Sequence, residues 1–177
     1  AFWAKVPATA PANMKIAPSS LWEPHHFLGK ESKLFEQPHV AAYIASNTKA
    51  LTTLMLAKLL DEGKLMWDTP VTSLLPSFKL GDPAVTSRVL VKHLICACTG
   101  LPRQDFEWFF QYEGVTAEGT LRTLATIKPT SKFGEMYQYS NLLAAVAGFV
   151  GGHIAFPTLE LGAAYDEAML TRVFRPL

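Results

Sequence analysis

The sequence predicts a mostly helical domain with a few short strands confined to its N-terminal end. Three observations carry this. The 177 residues are 49% apolar and 18% charged, which suits one domain with a sizeable core and excludes a disordered chain. Proline punctuates the N-terminal stretch at Pro7, Pro11, Pro18, Pro24 and Pro38, so that residues 1–26 read as an extended arm. From Ser46 onward the apolar residues fall into a helical period.

The elements follow in order. Phe27-Leu28-Gly29 and Lys33-Leu34-Phe35 form a short hairpin around Gly29-Lys30-Glu31-Ser32, and His39 to Ala45 reads as another strand. In the helix that starts at Ser46, Leu51, Leu54, Met55, Lys58 and Leu59 follow helical spacing, while Leu56 and Leu60 cover the other side. Apolar groups thus surround nearly the whole cylinder, which places this helix in the middle of a domain. Gly63 stops it after Asp61-Glu62. Thr69-Pro70 reads as the cap and first position of a short helix that ends before Pro76. Thr86 or Ser87 caps another, Val89 to Cys98, closed by Gly100 and Pro102. Further helices are expected over Gln104–Tyr112, Thr120–Ile127, Asn141–Val150 and Tyr165–Phe174.

Composition narrows the function. Sixteen Lys and Arg against fifteen Asp and Glu leave a formal charge of +1, which offers no electrostatic case for nucleic acid or an anionic membrane. The longest apolar run, Leu142 to Ile154, is shorter than the ~20 residues of a membrane span and carries Gly148, Gly151, Gly152 and His153, so it reads as a buried helix. Gly151-Gly152 is not a phosphate loop, since no Gly-Lys-Ser/Thr follows. No signal peptide is visible and the chain starts at Ala1 without Met, which leaves the compartment open, whether exported, periplasmic or cytoplasmic. Cys96 and Cys98, one residue apart, are poorly placed to bridge each other, so no disulfide framework is expected; nor do they make a zinc site.

The chemistry concentrates in two places. In Ser46-Asn47-Thr48-Lys49, residues three apart share one helix face, about 5–6 Å apart at Cβ. Ser46 stands at the positive N-terminal end of a buried helix, where negative charge developing on an oxygen nucleophile is stabilised. Lys49 is expected to be largely desolvated there, with burial and the helix end both favouring its neutral form, and a proton-sharing Lys can activate the Ser hydroxyl. The plain structural alternative is that Ser46 caps the helix and Lys49 is solvated. The second place is Tyr139-Ser140-Asn141, in a loop leading into an apolar helix. A Tyr hydroxyl beside a cation can move a proton, and an Asn amide can hold both a Lys and a substrate carbonyl. The alternative there is that Asn141 caps the helix and Tyr139 packs.

Taken together these residues resemble the serine β-lactamase and penicillin-binding protein superfamily, in the branch of class C β-lactamases, DD-peptidases and family VIII carboxylesterases. Ile44-Ala45-Ser46-Asn47-Thr48-Lys49-Ala50-Leu51-Thr52 resembles the nucleophile helix, and Leu59-Leu60-Asp61-Glu62-Gly63-Lys64-Leu65, Trp67-Asp68-Thr69-Pro70-Val71 and Leu75-Pro76 the segment after it. Val91-Lys92-His93-Leu94-Ile95 with Thr99-Gly100-Leu101-Pro102, then Tyr139-Ser140-Asn141 and Val173-Phe174-Arg175-Pro176-Leu177, come in the family's order. The likeness covers roughly residues 40–177 and implies an α+β, β-lactamase-like fold. Residues 1–45 would be an arm with short strands, and residues 46–177 the helical portion of the domain, without its C-terminal sheet half. It also implies that Ser46 is acylated, Lys49 activates it, Tyr139 shuttles the proton and Asn141 contacts Lys49 and the substrate. The Ser46 backbone N–H would be one oxyanion donor, typically worth about 3–4 kcal/mol.

The chain departs from the family at named points. A third motif, Lys or His followed by x-Gly, is expected after Tyr-x-Asn, but no Lys follows Lys132, and His153 is followed by Ile154-Ala155. Ala97 and Cys98 stand where the family commonly has His-Thr before the Gly-Leu-Pro turn.

The expectation is a serine hydrolase that forms an acyl-enzyme on a small-molecule ester or β-lactam, with no cofactor, no metal and no nucleic-acid partner. A second chain or self-association would complete the fold and cover its apolar face. Two readings compete with it: a catalytically incomplete binding or assembly module of the same ancestry, and a plain helical interaction domain. Minor features read as structure. Glu23-Pro24-His25-His26 with His39 matches no strong metal template and reads as surface loop; His93 is a hydrogen-bonded packing residue; Asp105, Glu107 and Glu113 among Phe106, Trp108, Phe109, Phe110 and Tyr112 are a loop wrapped on the core rather than a cleft.

Overall fold

The computed structural model describes residues 46–104 and 115–176. The expected hairpin at 27–35, the strand at 39–45, the His25–His26–His39 group, nearly all of the helix over 104–112 and the acidic-aromatic loop with Glu113 therefore lie outside the described residues.

Helix α1 spans Asn47–Asp61. Its C-terminus closes as the sequence predicts. Gly63 takes a left-handed φ of 70°, its N–H donates to Leu60 O, and the Lys64 N–H reaches back to Leu59 O. The helix is less enclosed than its composition predicts. Thr52, Met55, Leu56 and Leu59 are buried, but Leu51 and Leu60 are half-buried and Leu54 is 44% exposed.

Short helices follow. Helix α2 covers Val71–Leu74 and α3 covers Pro83–Thr86. Pro70 flanks α2 instead of opening it, because this segment pairs with a second one: Pro70 bridges Leu90 in antiparallel fashion, Val71 N donates to Val89 O and Val91 N to Thr69 O. That bridge is the only extended pairing among the described residues, so the β part of the expected fold is not found there. Neither Thr86 nor Ser87 caps the next helix. Asp82 caps α3 by accepting from Ala84 and Val85, and the Thr86 hydroxyl turns back to Asp82 O. Helix α4 then runs only from Val91 to Cys96, with Leu90 N donating to His93 Nδ1 at its start.

Helix α4 ends where Ala97 adopts a left-handed conformation, φ 51° and ψ 41°. This turn corrects the expectation for the cysteines. It folds the chain back within one residue and sets the Cα atoms of Cys96 and Cys98 5.3 Å apart, within ordinary disulfide reach, and the two are bonded.

Helix α5 spans Ala117–Leu124, capped by Thr116 Oγ1 accepting from Gly119 N. Helix α6 spans Asn141–Ala155 and α7 spans Leu161–Met169, continuing into a π-helical turn over Leu170–Phe174. Helix α6 is the axis of the molecule. It packs on α1, α2, α4, α5 and α7, and Leu142 and Leu143 and every residue from Ala145 to Gly152 are buried. The apolar run of residues 142–154 is therefore a core helix, and no helix among the described residues is long and apolar enough to cross a membrane.

The glycines of α6 are there for packing. A Cβ on Gly148 would lie 2.8 Å from the Tyr165 ring, one on Gly151 2.5 Å from Met55 Cε, and one on Gly152 2.5 Å from the Tyr165 backbone nitrogen. The bare face of α6 thus lets α7 approach to backbone contact. Tyr165 then reaches across to α1, where its hydroxyl hydrogen-bonds Thr52 Oγ1 at 2.9 Å in the buried interior. At the other end of α1, Lys58 Nζ donates to Arg172 O (2.7 Å) and Arg172 pairs with Glu62 (3.3 Å), which fixes the π-helical turn.

The Gly152→Ala variant is expected to lose about 1–3 kcal/mol by overpacking against the Tyr165 backbone. Gly63→Ala meets nothing within 4 Å and is expected to cost only the roughly 1–2 kcal/mol of its left-handed conformation. Urea unfolding of the two variants checks the order: Gly152→Ala also disturbs α7, so it should lose near-ultraviolet signal from Tyr165, whereas Gly63→Ala should keep it.

Candidate active site

Three segments meet at the N-terminal end of α1. The first is α1 itself. Ser46 precedes it with helical angles, φ −69° and ψ −6°, and its side chain makes no capping hydrogen bond. The hydroxyl points instead to the phenol of Tyr139, Oγ to Oη 2.6 Å. One turn along, Lys49 Nζ lies 3.3 Å from Ser46 Oγ. Lys49 is half-buried rather than largely desolvated.

The second segment is the start of α6. Ser140 is its cap, accepting from Leu143 N at 3.2 Å. Asn141 is thereby freed from capping, and its Oδ1 accepts from Lys49 Nζ at 2.6 Å. Tyr139, just outside the helix, lays its ring 4.8 Å from Lys49 Nζ, measured to the centroid. The structure thus brings together all four residues singled out in the sequence: Ser46, Lys49, Tyr139 and Asn141. The readings in which Ser46 and Asn141 merely cap helices do not describe this geometry.

The third segment is the turn after α4, which holds the Tyr139 loop in place. Ala97 O accepts from Gln138 N (2.7 Å), Cys98 O from Gly134 N (2.8 Å) and Gly100 O from Thr130 N (2.8 Å). The Gln138 amide fills the remaining gap. With its nitrogen toward the carbonyls of Gly100 (2.9 Å) and Leu101 (3.2 Å), its oxygen accepts from Thr130 Oγ1 (3.2 Å). Gly100 has φ 83°, and a Cβ there would meet Ser131 O at 2.3 Å, so no other residue fits. Between the anchors at Gly134 and Gln138, Met136 and Tyr137 stand exposed beside the site. His93 packs edge-on against Phe133 at 4.8 Å, and burial together with neighbouring Lys92 pushes its pKa down, in keeping with a packing role.

Two participants were not picked out from sequence. Gln138 has no motif, and only its place beside Tyr139 hints at a role. Arg103 follows Pro102 directly, and its guanidinium carbon lies 5.0 Å from the Tyr139 ring centroid. Electrostatics converge on that phenol. Partial burial pushes its pKa up. Hydrogen bonding to Lys49 and Ser46 and the positive charges of Lys49 and Arg103 outweigh this and hold it below the usual value of 10. The group is therefore a hydroxyl, an amine, an amide and an acidified phenol within mutual reach. Among the described residues no cluster of His, Cys, Asp and Glu is arranged to hold a metal ion.

A Ser–Lys–Tyr constellation carried by an axial-helix scaffold defines a class of protein, and comparison supplies its family. A family model described as Beta-lactamase matches residues 37–177, and the chain belongs to that family. Unguisins hydrolase ungD' of Aspergillus campestris is 31% identical over 147 residues, covering 79% of this chain and 26% of that protein. Protein flp of Staphylococcus aureus strain COL is 27% identical over 125 residues, covering 68% of this chain and 24% of its own length. The chain thus spans about a quarter of the curated relatives it matches. Among solved structures, a D-stereospecific amidohydrolase from Streptomyces sp. superposes with a TM-score of 0.58 at 21% identity, over 75% of this chain and 41% of that one. The octameric penicillin-binding protein homologue from Pyrococcus abyssi gives 0.55 at 23% identity, over 72% and 29%. These likenesses show a shared fold, so the β-lactamase-like architecture expected from the sequence holds, its described part being helical.

Replacing Gly100 by Ala is expected to push Ser131 away, loosen the three backbone anchors and cost about 2–4 kcal/mol. In amide hydrogen exchange, protection of the Gln138 and Thr130 N–H groups should fall while that of α6 is retained.

Proposed function

We propose that this chain carries the nucleophile half of a serine hydrolase that acts through an acyl-enzyme on ester or β-lactam carbonyls. The single observation that carries this is the 2.6 Å approach of Ser46 Oγ to Tyr139 Oη, with Lys49 within reach of both residues. Tyr139 in its phenolate form takes the Ser46 proton as Oγ bonds to the carbonyl carbon. The tetrahedral intermediate collapses, the bond to the leaving oxygen or nitrogen breaks, and Tyr139 returns the proton to it. Water then cleaves the Ser46 ester by the same route and releases the acid. Lys49 keeps the proton path polarised, and Asn141 holds Lys49 and presents its amide N–H to the substrate. The Ser46 backbone N–H, at the positive end of α1, faces the developing oxyanion. No step calls for a metal or an organic cofactor.

The relatives support hydrolysis as the class of reaction, since two bear the names hydrolase and amidohydrolase. A second reading, a binding or assembly module of the same ancestry, competes with it. We also propose self-association, in which a second copy covers the apolar face of the domain. The octameric homologue supports self-association as one route.

A fluorophosphonate or a labelled penicillin is expected to add its mass to Ser46. Ser46→Ala should abolish the adduct, and Tyr139→Phe and Lys49→Met should each slow it at least about 100-fold. Label that persists in Ser46→Ala rejects the assignment, and a folded protein that never labels favours the binding module.

A further inference from the structure

Tyr139 lies under two cations that reach it from different segments. Lys49 comes from α1, with Nζ 4.8 Å from the ring centroid. Arg103 comes from the turn after α4, with its guanidinium carbon 5.0 Å from the same centroid. Among the described residues these are the charged groups that act on the phenol; Ser46 and Asn141, the other polar groups of the site, are neutral. Their positions over the ring matter as much as their sign. A phenolate spreads its negative charge from oxygen into the ring, so a cation near the centroid interacts with the ionised form more strongly than with the neutral one. Arg103 suits this task better than a second Lys, because a guanidinium stays charged at every working pH and lies flat against an aromatic face.

The backbone makes the placement reproducible. Gly100 pins the turn against Ser131, Pro102 limits the chain just before Arg103, and Gln138 and Gly134 tie the Tyr139 loop to that turn. The segments that carry the guanidinium and the phenol therefore belong to one hydrogen-bonded unit, although 36 residues separate the two in sequence (139 − 103).

We propose that Arg103 is a positioning residue for acyl transfer: its charge over the Tyr139 ring favours the phenolate that accepts the Ser46 proton. Its catalytic consequence rests on the hydrolase reading, while the electrostatic coupling does not. The lowered pKa of Tyr139 agrees with it in direction: the hydrogen bonds to Lys49 and Ser46 and the Lys49 charge lower it more, and the Arg103 charge adds the smallest part.

The test uses the full chain labelled with 13Cζ-tyrosine, the Tyr139 resonance being assigned by its loss in Tyr139→Phe. Arg103→Met is expected to raise the ionisation midpoint of Tyr139 by about 0.5–1 pH unit, the effect of one charge roughly 5 Å away at a partly exposed site. Arg103→Lys is expected to restore most of the shift. Added salt should narrow the difference between Arg103→Met and the unsubstituted protein. The acid limb of the pH profile for fluorophosphonate acylation of Ser46 should move in the same direction and by a similar amount. A midpoint that stays put in Arg103→Met overturns the inference, as does one that moves equally in Arg103→Lys. A limb that stays fixed while the midpoint moves overturns the catalytic part. A midpoint that moves in a protein whose Ser46 never acylates leaves the coupling established and removes the hydrolase reading instead.

Discussion

The hydrogen bond from Lys49 Nζ to Asn141 Oδ1, 2.6 Å long, joins the first turn of α1 to the first turn of α6, and the rest of the site depends on it. It sets the two helix starts side by side and holds the Lys49 amine between Ser46 and Tyr139. It is possible because Ser140, not Asn141, caps α6. Had Asn141 been drawn into capping, the amine would have lost its fixed acceptor. A neighbouring serine thus leaves the asparagine available for Lys49.

Helix α6 links this constraint to the core. Its N-terminal end carries Asn141 and, just before it, Tyr139, while its body is buried among five other helices. Gly148 and Gly152 give up side-chain contacts of their own so that α7 can lie against the backbone, and Gly151 does the same for Met55 and Leu56 of α1. Tyr165 on α7 returns that closeness to α1 through Thr52. Helices α1 and α6 are therefore fixed to each other twice, once at the reactive end and once in the interior. That is the kind of rigidity a short Ser–Tyr contact requires.

Much of this was legible in sequence, and the exceptions have physical causes. The start and Gly63 stop of α1, the core helix after Tyr139 and the convergence of Ser46, Lys49, Tyr139 and Asn141 follow from spacing, caps and resemblance. The short helices are displaced by one to three residues at their starts: the strand-like contact of Pro70 with Leu90 removes the expected opening residues of α2 and α4, and Thr116 caps α5 ahead of the expected start at Thr120. The Cys96–Cys98 bond was missed because a left-handed Ala97 is not predictable from its own side chain. Arg103 and Gln138 were missed because their roles arise only when two distant turns are laid together. The exposure of Leu54 shows the limit of composition: an all-round apolar helix states what it is able to bury, not what lies beside it.

The loop between Gly134 and Gln138 has a consequence for how such a scaffold diversifies. Its two ends are stapled to the Ala97–Cys98 carbonyls, while Met136 and Tyr137 in between, 50% and 68% exposed, contribute little to the interior. Changes at those two positions alter the exposed surface next to Tyr139 in sequence without loosening the frame beneath it. Selection can therefore reshape that surface at almost no cost in folding, a separation of duties that lets one framework diversify.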